Sequence, residues 1–180
     1  MGRSKKYGYD DNPYNLERVG YIKNQEDCKD CAGRIYNNNQ FLYYGKGTIT
    51  TRTMFIIPPH EINKITPVEE GLSEVFKELF SIDIHKVCYI TTSIKCPVKD
   101  KELIHSCARE HCYKHLYNEM YIVTPRIVFV VGKDYNYILS EFAVVFPGIK
   151  FICIPSPLTK TINPSSFNQL KESLKKYVIL

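Results

Sequence analysis

A three-layer α/β/α sandwich around a central, mainly parallel sheet is the fold class this sequence predicts, and three observations carry it. Short apolar runs alternate with longer segments of helical periodicity along most of the chain. Two of those runs, "RIVFVVG" and "KFICIP", are almost continuously apolar, as strands covered by helices on both faces are. A length of 180 residues with 44% hydrophobic content suffices for one core and is short for two. A single domain over 26–180 is therefore expected. An arm over 1–25, rich in Tyr, Asn and Lys and without periodicity, precedes it.

The elements follow in order. "TMFIIPP" is a strand stopped by Pro58 and Pro59, which have no N–H to continue a ladder. "TPVEEGLSEVFKELFSI" is a helix, with Val68, Leu72, Val75, Phe76 and Leu79 at helical spacing, Thr66 as N-cap and Pro67 in the first turn. "KVCYITTSI" is a strand and "DKELIHSCAREHCYKHLYNEM" a helix. "RIVFVVG" is a strand, "KDYNYILSEFA" a helix and "KFICIP" the last strand. A Pro-rich loop then leads to "PSSFNQLKESLKKY", a helix capped by Asn163. In such folds ligands bind beyond the carboxyl ends of the strands, which directs attention to the loops 57–66, 92–101, 132–135 and 154–164.

Composition narrows the function classes. The start, "MGRSKKYGYDDNPYN", has charge but no apolar segment, so an intracellular, soluble protein without a membrane span is expected. Seven cysteines in that setting favour reduced thiols or metal ligands over a disulfide frame. The net charge of +5 is a mild bias toward polyanions. Only three alanines occur beside abundant Lys, Asn, Ile and Tyr, as in AT-rich viral, phage or parasite genes.

The stretch "EDCKDCAGR" sets Cys28 and Cys31 two residues apart, which is half of a tetrahedral sulfur site, a redox pair, or neither. Cys96 at the end of the second predicted strand and Cys112 on the next helix are candidates for the other half. Sixty-four residues separate Cys31 from Cys96 and fifteen separate Cys96 from Cys112. An arm folded over a strand end and the helix behind it can bring four such thiolates together, to hold an iron–sulfur cluster or a structural zinc. Cys88 and Cys153 lie inside apolar strands and Cys107 is rotated away from Cys112 on the same helix, so these three are expected to be buried hydrophobes.

The cysteine frame, "VCYITTSIKCP", "MYIVTPRIVFVVGKDYNYIL" and "IPSPLT" together resemble the iron–sulfur, thermophile-type branch of the uracil-DNA glycosylase superfamily, over about residues 28–175. The resemblance implies a uracil-DNA glycosylase-like sandwich with a [4Fe-4S] cluster on Cys28, Cys31, Cys96 and Cys112. Zinc is the rival for the same thiolates. The cluster's implied role is structural, pinning the N-terminal segment to the sheet.

The resemblance fails at the chemistry. Such enzymes flip a uridine from the duplex, read its base edge and stabilise the departing uracil anion. Where the family has a Gly-Glu-Ala-Pro-Gly loop, this chain has "IIPPHE", with Pro58, Pro59, His60 and Glu61. The uracil-reading Asn falls on Thr92, whose hydroxyl cannot copy a bidentate amide. The anion-stabilising His of the His-Pro-Ser-Pro-Leu motif falls on Ile154, which donates no hydrogen bond. His60 as donor and Glu61 as general base are the remaining catalytic candidates; the bland alternative makes them polar loop residues. His85, His105, His111 and His115 are expected to face solvent or the cluster's surroundings. The DNA-gripping part persists. Pro155, Ser156 and Pro157 match the segment that pinches phosphate, Leu158 matches the residue that enters the base stack, and Lys160 and Lys133 add charge.

The implied function is a DNA-binding or accessory subunit, without glycosylase activity, in a replication, repair or transcription assembly. An active glycosylase with unusual residues, and a protein-interaction module whose contact surface is the Tyr-rich arm, are the alternatives.

Overall fold

The computed structural model describes residues 45–58, 67–95, 112–132 and 136–178. The arm over 1–25, the Thr66 cap and the first part of the helix expected from residue 100 lie outside them. Five strands form one sheet: β1 (Lys46–Gly47), β2 (Thr53–Ile57), β3 (Tyr89–Thr92), β4 (Ile127–Val131) and β5 (Lys150–Ile154). Their order is β1-β3-β2-β4-β5; β1 pairs antiparallel with β3, and every other pair is parallel. The helices are α1 (Pro67–Phe80), α2 (Ile84–Val87), α3 (Tyr113–Val123), α4 (Asn136–Val145) and α5 (Pro164–Tyr177), with a 3-10 turn over Pro157–Lys160.

Strand alternation sorts the apolar side chains into two cores. Met54, Ile56, Val128 and Val130 point to one face and pack with Leu116 and Met120 of α3 and Ile138 and Phe142 of α4. Phe55, Ile57, Phe129 and Val131 point to the other and pack with Leu72 and Phe76 of α1 and Leu170 and Leu174 of α5. The architecture is thus the expected α/β/α sandwich. All five residues of β2 and of β4 are buried, which explains why neither strand alternates in polarity. Phe55 and Phe129 stack with centroids 4.9 Å apart, and Phe76 meets Phe55 edge-on at 5.7 Å. Such aromatic pairs contribute about 0.5–1.5 kcal/mol beyond burial.

Local chemistry sets the ends. Asn163 Oδ1 accepts the Ser166 N–H at 3.1 Å, and Pro164 occupies the first turn of α5. Helix α3 stops at Thr124, which is left-handed (φ 46°) and donates its N–H to Met120 O at 2.8 Å ahead of Pro125. Three features differ from expectation. The segment expected as a strand from residue 86 begins as the short helix α2, because Asp83 Oδ1 accepts the His85 N–H at 3.0 Å and nucleates a turn. β1 was not expected at all. And β5, expected to be covered on both faces, is the last strand of the sheet among the described residues, with β4 as its one neighbour there and only Ile154 buried. Among the described residues no helix is long and apolar enough to cross a membrane.

Candidate nucleic-acid interface at the carboxyl edge of the sheet

Because β2, β3, β4 and β5 are parallel, their carboxyl ends share one edge. The chain leaves β2 for β3 on one side and returns past it to β4 on the other, so the topological switch point lies between the ends of β2 and β4. Pro58 follows β2 there, half-buried. Gly132 follows β4 with φ +94°, a conformation that favours glycine, and its N–H donates to Ile154 O at 2.9 Å.

The loop after β5 is held from within. Ser156 is extended, its Oγ accepts the Leu158 N–H at 3.3 Å, and its carbonyl accepts from the Thr159 hydroxyl at 2.7 Å and the Thr159 N–H at 3.1 Å. Pro157 is buried against α1 at Gly71, where a Cβ would come within 2.9 Å of the proline Cβ. That close approach gives a physical reason for a glycine inside the helix despite its cost. The result is a fixed platform with apolar side chains pointing outward: Leu158 is 48% exposed and Ile162 84%. Exposed Lys160 lies between them, its Nζ 5.7 Å from the Phe167 ring centroid. Much of the backbone is spent on the loop's own turns, including the Thr161 N–H on Thr159 O, so the exposed side chains are what it offers a ligand. Ile162 escaped the sequence reading. An isoleucine between Thr161 and the Asn163 cap, outside any periodic stripe, was the available signal.

Two of the positions matched to base recognition, Ile154 and Thr92, are closed. Ile154 is 1% exposed and belongs to the core that contains Phe129, Val131 and Phe167. Thr92 is fully buried and its hydroxyl donates to Ile94 O at 2.6 Å. Pro59, His60, Glu61, Lys133, Cys28, Cys31 and Cys96 lie outside the described residues, as do His105 and His111. Cys112 is 1% exposed and packs in the same cluster as Ile94, two positions before Cys96. Among the described residues no group of three or more His, Cys, Asp or Glu comes together as a metal site. Cys88 is fully buried, and burial pushes its thiol far above the ordinary range, the behaviour of an inert core cysteine. His85 is half-buried, its Nε2 3.4 Å from Glu69 Oε1, which Lys46 Nζ also reaches at 3.2 Å.

The turn after β3 carries a charged network that the sequence reading missed. Lys95 Nζ lies 2.6 Å from Glu119 Oε2, 2.5 Å from Thr91 Oγ1 and 3.0 Å from Thr92 O. Thr91 Oγ1 donates to Glu119 Oε2 at 2.8 Å, and the Tyr89 hydroxyl to Glu119 Oε1 at 3.4 Å. Both charged side chains are 4% exposed or less. The signal was a glutamate on the otherwise apolar face formed by Tyr113, Leu116, Met120 and Val123 of α3.

Compared with known proteins, the chain matches no family model and no curated protein.

Lys95→Met strands a buried carboxylate and is expected to destabilise the protein by about 3–5 kcal/mol, whereas Lys95→Met/Glu119→Leu should recover most of that loss. Urea unfolding of the two single variants and the double closes the cycle. Additive losses would show that the pair does not act as a unit.

Proposed function

We propose that this chain is a uracil-DNA glycosylase-like domain that grips DNA through its 155–162 loop, holds a [4Fe-4S] cluster and lacks the chemistry to excise uracil. The observation that carries the reading is the contrast at one sheet edge. Leu158, Lys160 and Ile162 stand out from a rigid, self-capped loop, while Thr92 and Ile154 are sealed into the protein. An exposed aliphatic wedge can unstack a base step and an adjacent ammonium can meet phosphate. Excision further requires a donor facing the departing anion, and neither a core isoleucine nor a threonine whose hydroxyl is already spent supplies one.

For the cluster, the donor set is four soft thiolates, which suit iron–sulfur chemistry. Cys112 is shielded from water, and the Lys95–Glu119 pair fastens the residue before Cys96 to the helix that follows Cys112. Both features support Cys28, Cys31, Cys96 and Cys112 as the residues that would hold the group. Bound there, it supplies a cross-link and no reaction step.

A second reading, a subunit that meets protein partners, is favoured by the outer surface of α3 and α4. Tyr121 is 65% and Val144 80% exposed, and the Tyr121 ring lies 5.1 Å from that of Phe146.

Cysteine substitutions test the thiolate frame. Cys88→Ala removes one buried atom and is expected to cost about 1 kcal/mol, whereas Cys112→Ala, equally buried, should unfold or aggregate the protein by removing a ligand. Equal, small losses for both would contradict ligation.

DNA titrations test the rest. Uracil release from single- and double-stranded substrates should be absent or orders of magnitude below that of an ordinary glycosylase. Duplex binding should persist and weaken with salt. Lys160→Ala should lower the logarithmic salt slope by about one, and Leu158→Ala should weaken duplex binding with the slope unchanged. Ready uracil release, abolished by His60→Ala or Glu61→Ala, would instead make the chain an enzyme. No binding to any DNA at low salt would leave the partner-binding reading.

A further inference from the structure

The opposite edge of the sheet, where the parallel strands begin, carries a feature the proposed DNA grip does not use. Each of these four strands is preceded or opened by a basic residue: Lys86 ahead of β3, Arg52 immediately before β2, Arg126 immediately before β4, and Lys150 as the first residue of β5. All four are exposed. Strand order β3-β2-β4-β5 brings them to one edge, with Arg52 level with Arg126, Lys150 one position further on and level with Ile127, and Lys86 in the last turn of α2. Hydrogen bonds tie the strand starts together: the Thr51 hydroxyl donates to Val87 O at 2.5 Å, Arg126 N to Arg52 O at 2.9 Å, and Lys150 N to Arg126 O at 2.9 Å. At the usual interstrand spacing the row is about 14 Å long. It continues onto the end of α5, where Lys150 and Lys176 lie 4.1 Å and 5.1 Å from the Tyr177 ring centroid. Lys176 and Lys150 also hold the Tyr177 phenol below its ordinary value.

Counter-charge is scarce. In the described turns at this edge, 48–52, 81–88, 124–126 and 146–149, Asp83 is the one acidic residue, and its carboxylate caps α2. Arg52, Lys86 and Arg126 form no ion pair with any described residue. Like charges fixed at strand spacing repel one another, so the row raises the free energy of the unbound protein and lowers it again when an anion bridges them. A linear array on a rigid edge matches a linear polyanion, and a nucleic-acid strand in a duplex places a phosphate every ~3.4 Å, so about four fall along the row.

We propose that Lys86, Arg52, Arg126 and Lys150 form a second phosphate-binding surface for a nucleic-acid backbone, on the edge of the sheet opposite the Leu158 loop. Five-residue strands separate the two edges by roughly 17 Å, so the contacts are independent and one can fail without the other.

The test is fluorescence-anisotropy titration of the full chain with a mixed-sequence DNA duplex and with its single strand, over a series of salt concentrations. Arg52→Gln/Arg126→Gln should reduce the logarithmic salt slope by about two on the duplex, while Arg52→Lys/Arg126→Lys keeps wild-type binding. An unchanged slope and affinity in the glutamine pair would overturn the proposal. So would an equal loss in the lysine pair, which would mark a packing effect rather than charge. Loss of all binding on Leu158→Ala/Lys160→Ala with the arginines intact would overturn it while leaving the loop's DNA grip standing. Persistence of binding in that variant, abolished by adding the glutamine pair, would support the basic row and count against the loop. Wild-type binding to phosphatidylserine vesicles that the glutamine pair loses, with DNA binding unaltered, would assign the row to a membrane surface and overturn the proposal.

Discussion

The Lys95–Glu119 ion pair is the constraint around which the carboxyl side of this protein is arranged. Two charges removed from water at 2.6 Å are tolerable because nearly every remaining donor and acceptor is engaged, by Thr91, Thr92 O and Tyr89. The consequence is positional. The turn that ends β3 cannot move relative to α3 without breaking the network, so the chain enters residue 96 from a fixed point, and Ile94 is held in the cluster that also buries Cys112. An apolar pair of similar volume would bind these elements together without choosing one register. A salt bridge with four auxiliary hydrogen bonds accepts only one.

The sheet divides the protein's chemistry between its two edges. At the carboxyl edge, β5 delivers Ile154 into the core and then releases the chain into a turn whose proline docks on Gly71, leaving Leu158 and Ile162 in solvent. At the amino edge the strands enter through a row of cations. Neither edge places a general acid or base beside an open cleft among the described residues. Both are suited to contact with a long, charged and stacked ligand more than to enclosing a small one.

Much of this fold was legible because its patterns are strong. Five buried positions in a row in β4, the helical stripe of α1, and Asn163 followed by Pro164 each have one physical reading, and the structure bears them out. What was not legible depended on partners distant in sequence. β1 is two residues long and exists only because β3 offers it an edge. "KFICIP" has the composition of a central strand, and only the order of the sheet makes it an edge. Lys95 and Glu119 look like surface charges, and only the packing of α3 against the end of β3 buries them together. The basic row was written in "TRTMF", "HKVCY", "PRIVF" and "IKFIC", each strand preceded or opened by a cation, but it comes to one edge only once strand order is known. Of the proposed site, the residues of the terminal loop were legible as a motif, and their exposure came from Pro157 meeting Gly71.

The central claim is that a thiolate-held cluster organises a DNA-gripping domain, and iron and acid-labile sulfide analysis of anaerobically purified protein tests it most directly. The account predicts about four of each per chain, as a [4Fe-4S] cluster requires. Stoichiometric zinc with no sulfide, or a folded protein that carries neither metal, would contradict it.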